Sequence, residues 1–113
     1  IKLNNIKIIN KKDLQLVELF LLGKKKEFQN FYNNGWSFKN IQNHFKKTNN
    51  LSIGYFIKDN LCAILIGEKI HNEKNFDLEI HLLFVSKNYR RKNIGSNILK
   101  FIESNKNLLN IQK

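Results

Sequence analysis

Residues 77–102 read DLEIHLLFVSKNYRRKNIGSNILKFI. The first part, with Leu78, Ile80, Leu82, Leu83, Phe84 and Val85, has the apolar content of a strand, and Ile94, Ile98, Leu99 and Ile102 recur at the spacing of one helix face. Between them lies a basic turn that contains Gly95. A strand that runs through such a turn into a helix leaves backbone N–H groups without partners where the helix dipole places partial positive charge. Lys87, Arg90, Arg91 and Lys92 add four cations within six residues. Together these features make a cradle for a pyrophosphate. A plain strand-to-helix link with solvated charges has the same spacing, so spacing alone does not separate the two.

Upstream, Leu51, Ser52, Ile53, Gly54, Tyr55, Phe56 and Ile57 predict a strand, Asp59-Asn60 a tight turn, and residues 61–70 its hairpin mate. A longer turn over residues 71–76 then leads into a strand over 78–85, which completes an antiparallel meander. Nearer the start, Ile1, Leu3, Ile6 and Ile8 read as an opening strand. Asp13 is placed to cap a helix carrying Leu14, Val17, Phe20 and Leu21, with Lys24, Lys25 and Lys26 near its C-terminal end. Ser37 caps a second helix whose Phe38, Ile41 and Phe45 form one apolar stripe. The expected order is β-α-α-β-β-β-α.

A chain of 113 residues holds one core, and neither proline, repeat nor low-complexity linker marks a boundary, so residues 1–113 read as a single domain. No window approaches the roughly 18 apolar residues of a membrane span, and no basic-then-apolar leader opens the chain. Cys62 is the only cysteine and sits in an apolar run, which fits a buried thiol in a reducing compartment. The expectation is a soluble, cytoplasmic protein with no membrane partner. Net charge is +11, which favours an anionic partner. However, Lys, Asn and Ile dominate the whole composition, and the lysines are scattered, so no specific nucleic acid is expected.

The turn also carries a resemblance. Arg90-Arg91-Lys92-Asn93-Ile94-Gly95 resembles the R/Q-x-x-G-x-G/A acetyl-CoA loop of the GNAT N-acetyltransferases, and Glu79-Ile80 with Val85 resembles the E-I…V strand before it. Asn93 stands where that family prefers glycine; asparagine is the best substitute at positive φ, at a cost of roughly 1 kcal/mol. Trp36-Ser37 followed by Ile41 resembles the W-S-x-x-x-apolar start of the second helix in the RimI type, the ribosomal-protein alanine N-acetyltransferases. The resemblance implies an α/β fold with a mixed, mostly antiparallel sheet flanked by helices. It also implies that the chain stops before the family's last strands and helix, a C-terminal truncation that would remove the RimI-type glutamate base and tyrosine acid.

By the same resemblance the cosubstrate is acetyl-CoA. Leu83, Phe84 and Val85 would meet it through their main chain, their side chains being replaceable. Arg90, Arg91, Lys92, Asn93, Ile94, Gly95 and Ser96 would wrap its pyrophosphate. The implied reaction is acetyl transfer to the N-terminal amine of a protein, with ribosomal proteins among the candidates; an alternative acceptor is a small-molecule amine. Acetyl transfer needs a group to take the ammonium proton. Glu79 is the candidate base, because strict alternation would place it on one face with His81, Leu83 and Val85. His81 could shuttle a proton. His44 reads as a surface residue, and Trp36 as a core anchor. His71-Asn72-Glu73 lacks the spacing of a metal site, so no metal is expected. From another class, the charge and the missing C-terminal part are compatible with a non-catalytic RNA- or ribosome-binding module, or with an inactive remnant.

Overall fold

The computed structural model describes residues 4–73, 75–90 and 93–106. Eight main elements follow in chain order: β1 (Asn4–Ile9), α1 (Leu14–Leu22), α2 (Lys25–Asn33), α3 (Phe38–Phe45), β2 (Ser52–Ile57), β3 (Asn60–Asn72), β4 (Asn75–Val85) and α4 (Ile94–Ser104). The strands form one sheet in the order β1-β2-β3-β4, each antiparallel to its neighbour. The expected meander is therefore present, with β4 at its edge among the described residues. Ile1 and Leu3 of the expected opening strand lie outside the described residues.

The hairpin turns differ in detail from the expectation. Ile57 pairs with Asn60, so the first turn is Lys58-Asp59, one residue earlier than expected. Both residues take positive φ, 51° and 67°, as a two-residue hairpin with the right twist requires. The longer turn expected over 71–76 does not occur. Instead the strands run on until Asn72 pairs with Asn75, and Glu73 after the pair's first member has φ 54°. Cross-strand partners continue the ladder through Ile70↔Asp77 and His71↔Phe76.

The helical region holds one more helix than expected. Lys24, Lys25 and Lys26 do not end the first helix; α1 stops at Leu22, and Lys25 and Lys26 open α2. Phe28 and Phe31 on α2 pack around Phe84 of β4, with ring centroids 5.1 and 5.6 Å away, and Phe20 of α1 adds a third ring at 5.8 Å. Burying Phe against edge-to-face neighbours is what holds α2 to the sheet. The capping differs as well. Asn10 accepts from Lys12 N–H, and the Asp13 carboxylate accepts from Asn10 N–H, a reciprocal box around a short 3₁₀ turn before α1. Asp13 makes no side-chain cap to α1 itself. Ser37 caps α3 as expected, its hydroxyl accepting from Asn40 N–H at 3.3 Å.

Both sheet faces are covered. On one, Val17, Phe20, Leu21, Phe28, Ile41 and Phe45 from α1–α3 pack on Ile64, Ile66, Leu82 and Phe84. On the other, Ile94, Ile98 and Ile102 of α4 pack on Ile53, Tyr55, Ala63 and Leu65. Ile94, Ile98 and Ile102 are i, i+4, i+8 neighbours, so α4 buries one stripe and leaves Leu99 exposed.

A bulge decides which side chains of β4 reach which face. In β4, Leu82 pairs with Ile66 but Ile80 pairs with Gly67, so His81 is the extra residue. Gly67 fits here because a Cβ would lie 2.8 Å from the Leu51 carbonyl oxygen and 2.9 Å from Leu78 Cδ1. Around it Leu51 N–H donates to the Gly67 carbonyl and Lys69 N–H to the Asn49 carbonyl, which ties the chain after α3 to β3. None of the helices is long and apolar enough to cross a membrane among the described residues.

Candidate active site

The β4-to-α4 turn begins with a 3₁₀ turn, Lys87–Tyr89, anchored from two sides. Its first amide, Lys87 N–H, donates to the Glu27 carboxylate of α2. Tyr89 packs against the α4-side core, together with Leu83 and Val85. Asn93 then takes φ 60°, ψ 24°, the left-handed conformation expected for it, and ends as the residue before α4 without a side-chain cap. The first bond of the helix runs from Asn97 N–H to the Asn93 carbonyl, 2.9 Å. By helix geometry the amides of Ile94, Gly95 and Ser96 are the donors left for an outside acceptor. An uncapped, glycine-bearing helix start of this kind suits a pyrophosphate.

The residues expected at the cofactor sort by what their side chains do. Phe84 is 1 % exposed inside the phenylalanine cluster, so only its main chain is available to a ligand, and its side chain is a core anchor rather than replaceable. Ile94 is likewise buried and offers main chain alone. Leu83 and Val85 are half-buried on the α4 side. A Cβ on Gly95 would meet Leu83 Cδ2 at 3.5 Å, an ordinary contact, so the fold itself does not demand glycine there. Ser96 is exposed. Arg90 turns back and donates from Nε to the Val85 carbonyl at 3.0 Å, closing the strand end. Arg91 and Lys92 lie outside the described residues.

Glu79 is not on the face expected for it. The bulge at His81 reverses the alternation, so Glu79 and His81 share the α1–α3 face with Leu82 and Phe84, while Leu83 and Val85 face α4. On that face a polar cluster forms. His81 Nε2 lies 3.0 Å from Glu68 Oε1 and 3.4 Å from Glu79 Oε1. Glu79 is the exposed member, at 58 %. Asn49 Nδ2 donates to Glu68 Oε2 at 2.6 Å, and Lys47 Nζ stands 3.6 Å from Glu68 Oε1. The hydrogen bond with His81, followed by the one from Asn49, holds the Glu68 carboxyl below its ordinary value.

His44 of α3 completes the cluster. It is buried at 5 % exposure, not on the surface as expected, and donates from Nε2 to the Gly67 carbonyl at 2.8 Å. Burial pushes its pKa below the usual histidine value, with His81 and Lys47 adding to the shift against the Gly67 carbonyl and Glu68. The His44 and His81 rings lie 5.4 Å apart, and Trp36 stands 6.2 Å from each. Trp36 is thus half-buried beside the polar cluster as well as packed on the core. Spacing could not bring these residues together, because α3, β3 and β4 each contribute one or two of them. The signal that was available is the run of small and polar residues around Gly67, where β3 loses its apolar pattern.

Next to the cluster, a cavity of about 310 Å³ is lined mainly by Leu21, Leu22, Phe28, Tyr32, Trp36 and Phe38. Cys62 is buried and burial raises its pKa, as for a core thiol rather than a nucleophile.

Known proteins share this fold. A ribosomal-protein-alanine N-acetyltransferase from Brucella melitensis biovar Abortus 2308 superposes with TM-score 0.75 at 12% identity, over 97% of this chain and 76% of that one. A possible acetyltransferase from Clostridium difficile 630 gives 0.74 at 19% identity, over 98% and 76%. An aminoglycoside acetyltransferase from an uncultured soil metagenomic sample, in complex with sisomicin, gives 0.70 at 16% identity, over 97% and 74%. At these identities the likeness is one of fold. No curated protein matches the sequence. The model of the acetyltransferase (GNAT) family matches residues 21–106, which include α2, α3, the β2–β4 meander, the turn at Asn93 and all of α4; the chain belongs to the GNAT acetyltransferase family.

Proposed function

We propose that the chain transfers acetyl from acetyl-CoA to the N-terminal amine of a protein, with Glu79 taking the proton of the incoming ammonium. The observation that carries this reading is the uncapped start of α4 behind a left-handed Asn93, at the end of the strand that also bears Glu79 and His81. The residues present fit the cosubstrate. The amides of Ile94, Gly95 and Ser96 would hold its pyrophosphate, with Arg90, Arg91 and Lys92 as surrounding cations, and the main chain of Leu83, Phe84 and Val85 would align its arm. When bound, acetyl-CoA supplies the activated acetyl group.

On the acceptor side, Glu79 is exposed enough to meet an ammonium, and His81 behind it is tied to Glu68. Proton transfer from the ammonium to the Glu79 carboxylate leaves a neutral amine nucleophile and a neutral carboxyl group, and His81, 3.4 Å away, orients that carboxylate before the transfer. Trp36 beside His81 and the apolar cavity next to it favour an acceptor with an apolar body, such as a peptide end. The RimI-like Trp36-Ser37 start of α3 and the ribosomal-protein enzyme among the similar folds point the same way. A small-molecule amine is the second reading, favoured by the aminoglycoside acetyltransferase of similar fold.

Calorimetry with acetyl-CoA, followed by acetylation assays on short peptides and on aminoglycosides, tests the reading. Peptide turnover that Glu79→Gln lowers in kcat while the acetyl-CoA affinity stays unchanged is the expected result. No heat with acetyl-CoA would overturn it, and turnover of aminoglycosides alone would select the second reading.

A further inference from the structure

We propose that His44, Glu68 and His81 form a binding site for a divalent transition-metal ion of the zinc type. One ring nitrogen of each histidine and one carboxylate oxygen of Glu68 lie within 4.8 Å of one another, contributed by α3, β3 and β4. Two imidazoles and a carboxylate suit Zn²⁺ rather than Mg²⁺ or Ca²⁺, which prefer all-oxygen shells.

The surroundings already have the form that supports such a set. The Gly67 carbonyl takes the Nε2 proton of His44, which leaves Nδ1 with the lone pair. Asn49 holds Glu68 by Oε2, so Oε1 is the oxygen beside His81. Glu79 Oε1, 3.4 Å from His81 Nε2, is within reach as a fourth ligand. Ligand atoms around tetrahedral zinc lie roughly 3.3 Å apart, so separations of up to 4.8 Å close by as much as roughly 1.5 Å on binding. Lys47, half exposed, swings away from Glu68, and the partly exposed His81 rotates inward. A bound ion would occupy the His81 lone pair next to Glu79 and so inhibit acetylation. That consequence depends on the proposed function; binding itself does not.

Zn²⁺ titrated by calorimetry into the chelator-stripped full chain tests the proposal, with Co²⁺ as a spectroscopic probe of coordination. One ion per chain is expected, with the visible bands of low-coordinate Co²⁺. His44→Gln and His81→Gln should each weaken Zn²⁺ by roughly tenfold or more, with acetyl-CoA affinity and circular dichroism retained as the check on folding. His71→Gln, which changes an exposed histidine outside the cluster, should leave Zn²⁺ affinity unchanged. Absence of binding to the wild-type chain, or full affinity in both His44→Gln and His81→Gln, would overturn the site. Loss of acetyl transfer without loss of Zn²⁺ binding would bear on the catalytic reading alone.

Discussion

His44 on α3 donates its Nε2 proton to the main-chain carbonyl of Gly67 on β3, 2.8 Å away, and that bond ties the helix to the bulged part of the sheet beside the core contacts of Ile41 and Phe45. The same carbonyl accepts from Leu51 N–H at 2.9 Å, so Gly67 joins α3, the connection after it and β3. Opposite Gly67 the bulge turns His81 and Glu79 toward α3. The polar cluster therefore exists because a residue without a side chain lets three backbone segments approach.

Gly67→Ala should destabilise the protein by about 1–3 kcal/mol, because its Cβ would stand 2.8 Å from a backbone oxygen that cannot rotate away. Urea denaturation measures the loss. An effect below a few tenths of a kcal/mol would show that the connection after α3 yields freely.

Stability should fall as the solution is acidified past the ordinary histidine range. Burial lowers the His44 pKa below 6.5 in the folded state, so the unfolded chain binds the proton first. The associated stability is fully present above about pH 6.5 and is lost as pH drops toward the lower folded value. Denaturation midpoints with chelator present, at about pH 7.5 and 5.5, should differ in wild type and converge in His44→Gln. Glu68, also lowered, adds a separate loss below its ordinary value of 4.5.

Asn93 should accept glycine and reject β-branched residues. At φ 60° glycine pays no steric cost, so Asn93→Gly should hold stability and acetyl-CoA affinity. Asn93→Val should cost about 1–2 kcal/mol and weaken acetyl-CoA, since the turn that aims the α4 amides is forced open. Thermal melts and calorimetry on the pair separate the two effects.

Gly95→Ala should divide folding from binding. The helix gains up to about 1 kcal/mol from the substitution, and the new methyl group makes only an ordinary 3.5 Å contact with Leu83. In the proposed placement of the diphosphate the same methyl would crowd its approach to the backbone, so acetyl-CoA affinity should fall while the melting temperature holds or rises. Unchanged affinity would place the diphosphate elsewhere.

Local pattern carried a long way here. The apolar runs of β2–β4, the 94/98/102 stripe of α4 and the Ser37 cap were legible because each depends on near neighbours in the chain. So did the left-handed Asn93, since asparagine tolerates that conformation in any context. The helix α2 was missed although Phe28 and Phe31 stand three residues apart, because the lysines before them read as an end rather than a beginning. Phe84 looked replaceable, and only its three aromatic neighbours from α1 and α2 show otherwise.

What the sequence alone determined, then, is the antiparallel meander and the turn that presents the amides of α4, both products of periodicity and of which residues accept positive φ. Tertiary structure alone decided the face of Glu79 and the meeting of His44, Glu68 and His81. A bulge shifts alternation by one residue only when a partner strand leaves a residue unpaired, and that partner lies over ten positions away in sequence. Side chains from three elements become neighbours only once the core has packed those elements together.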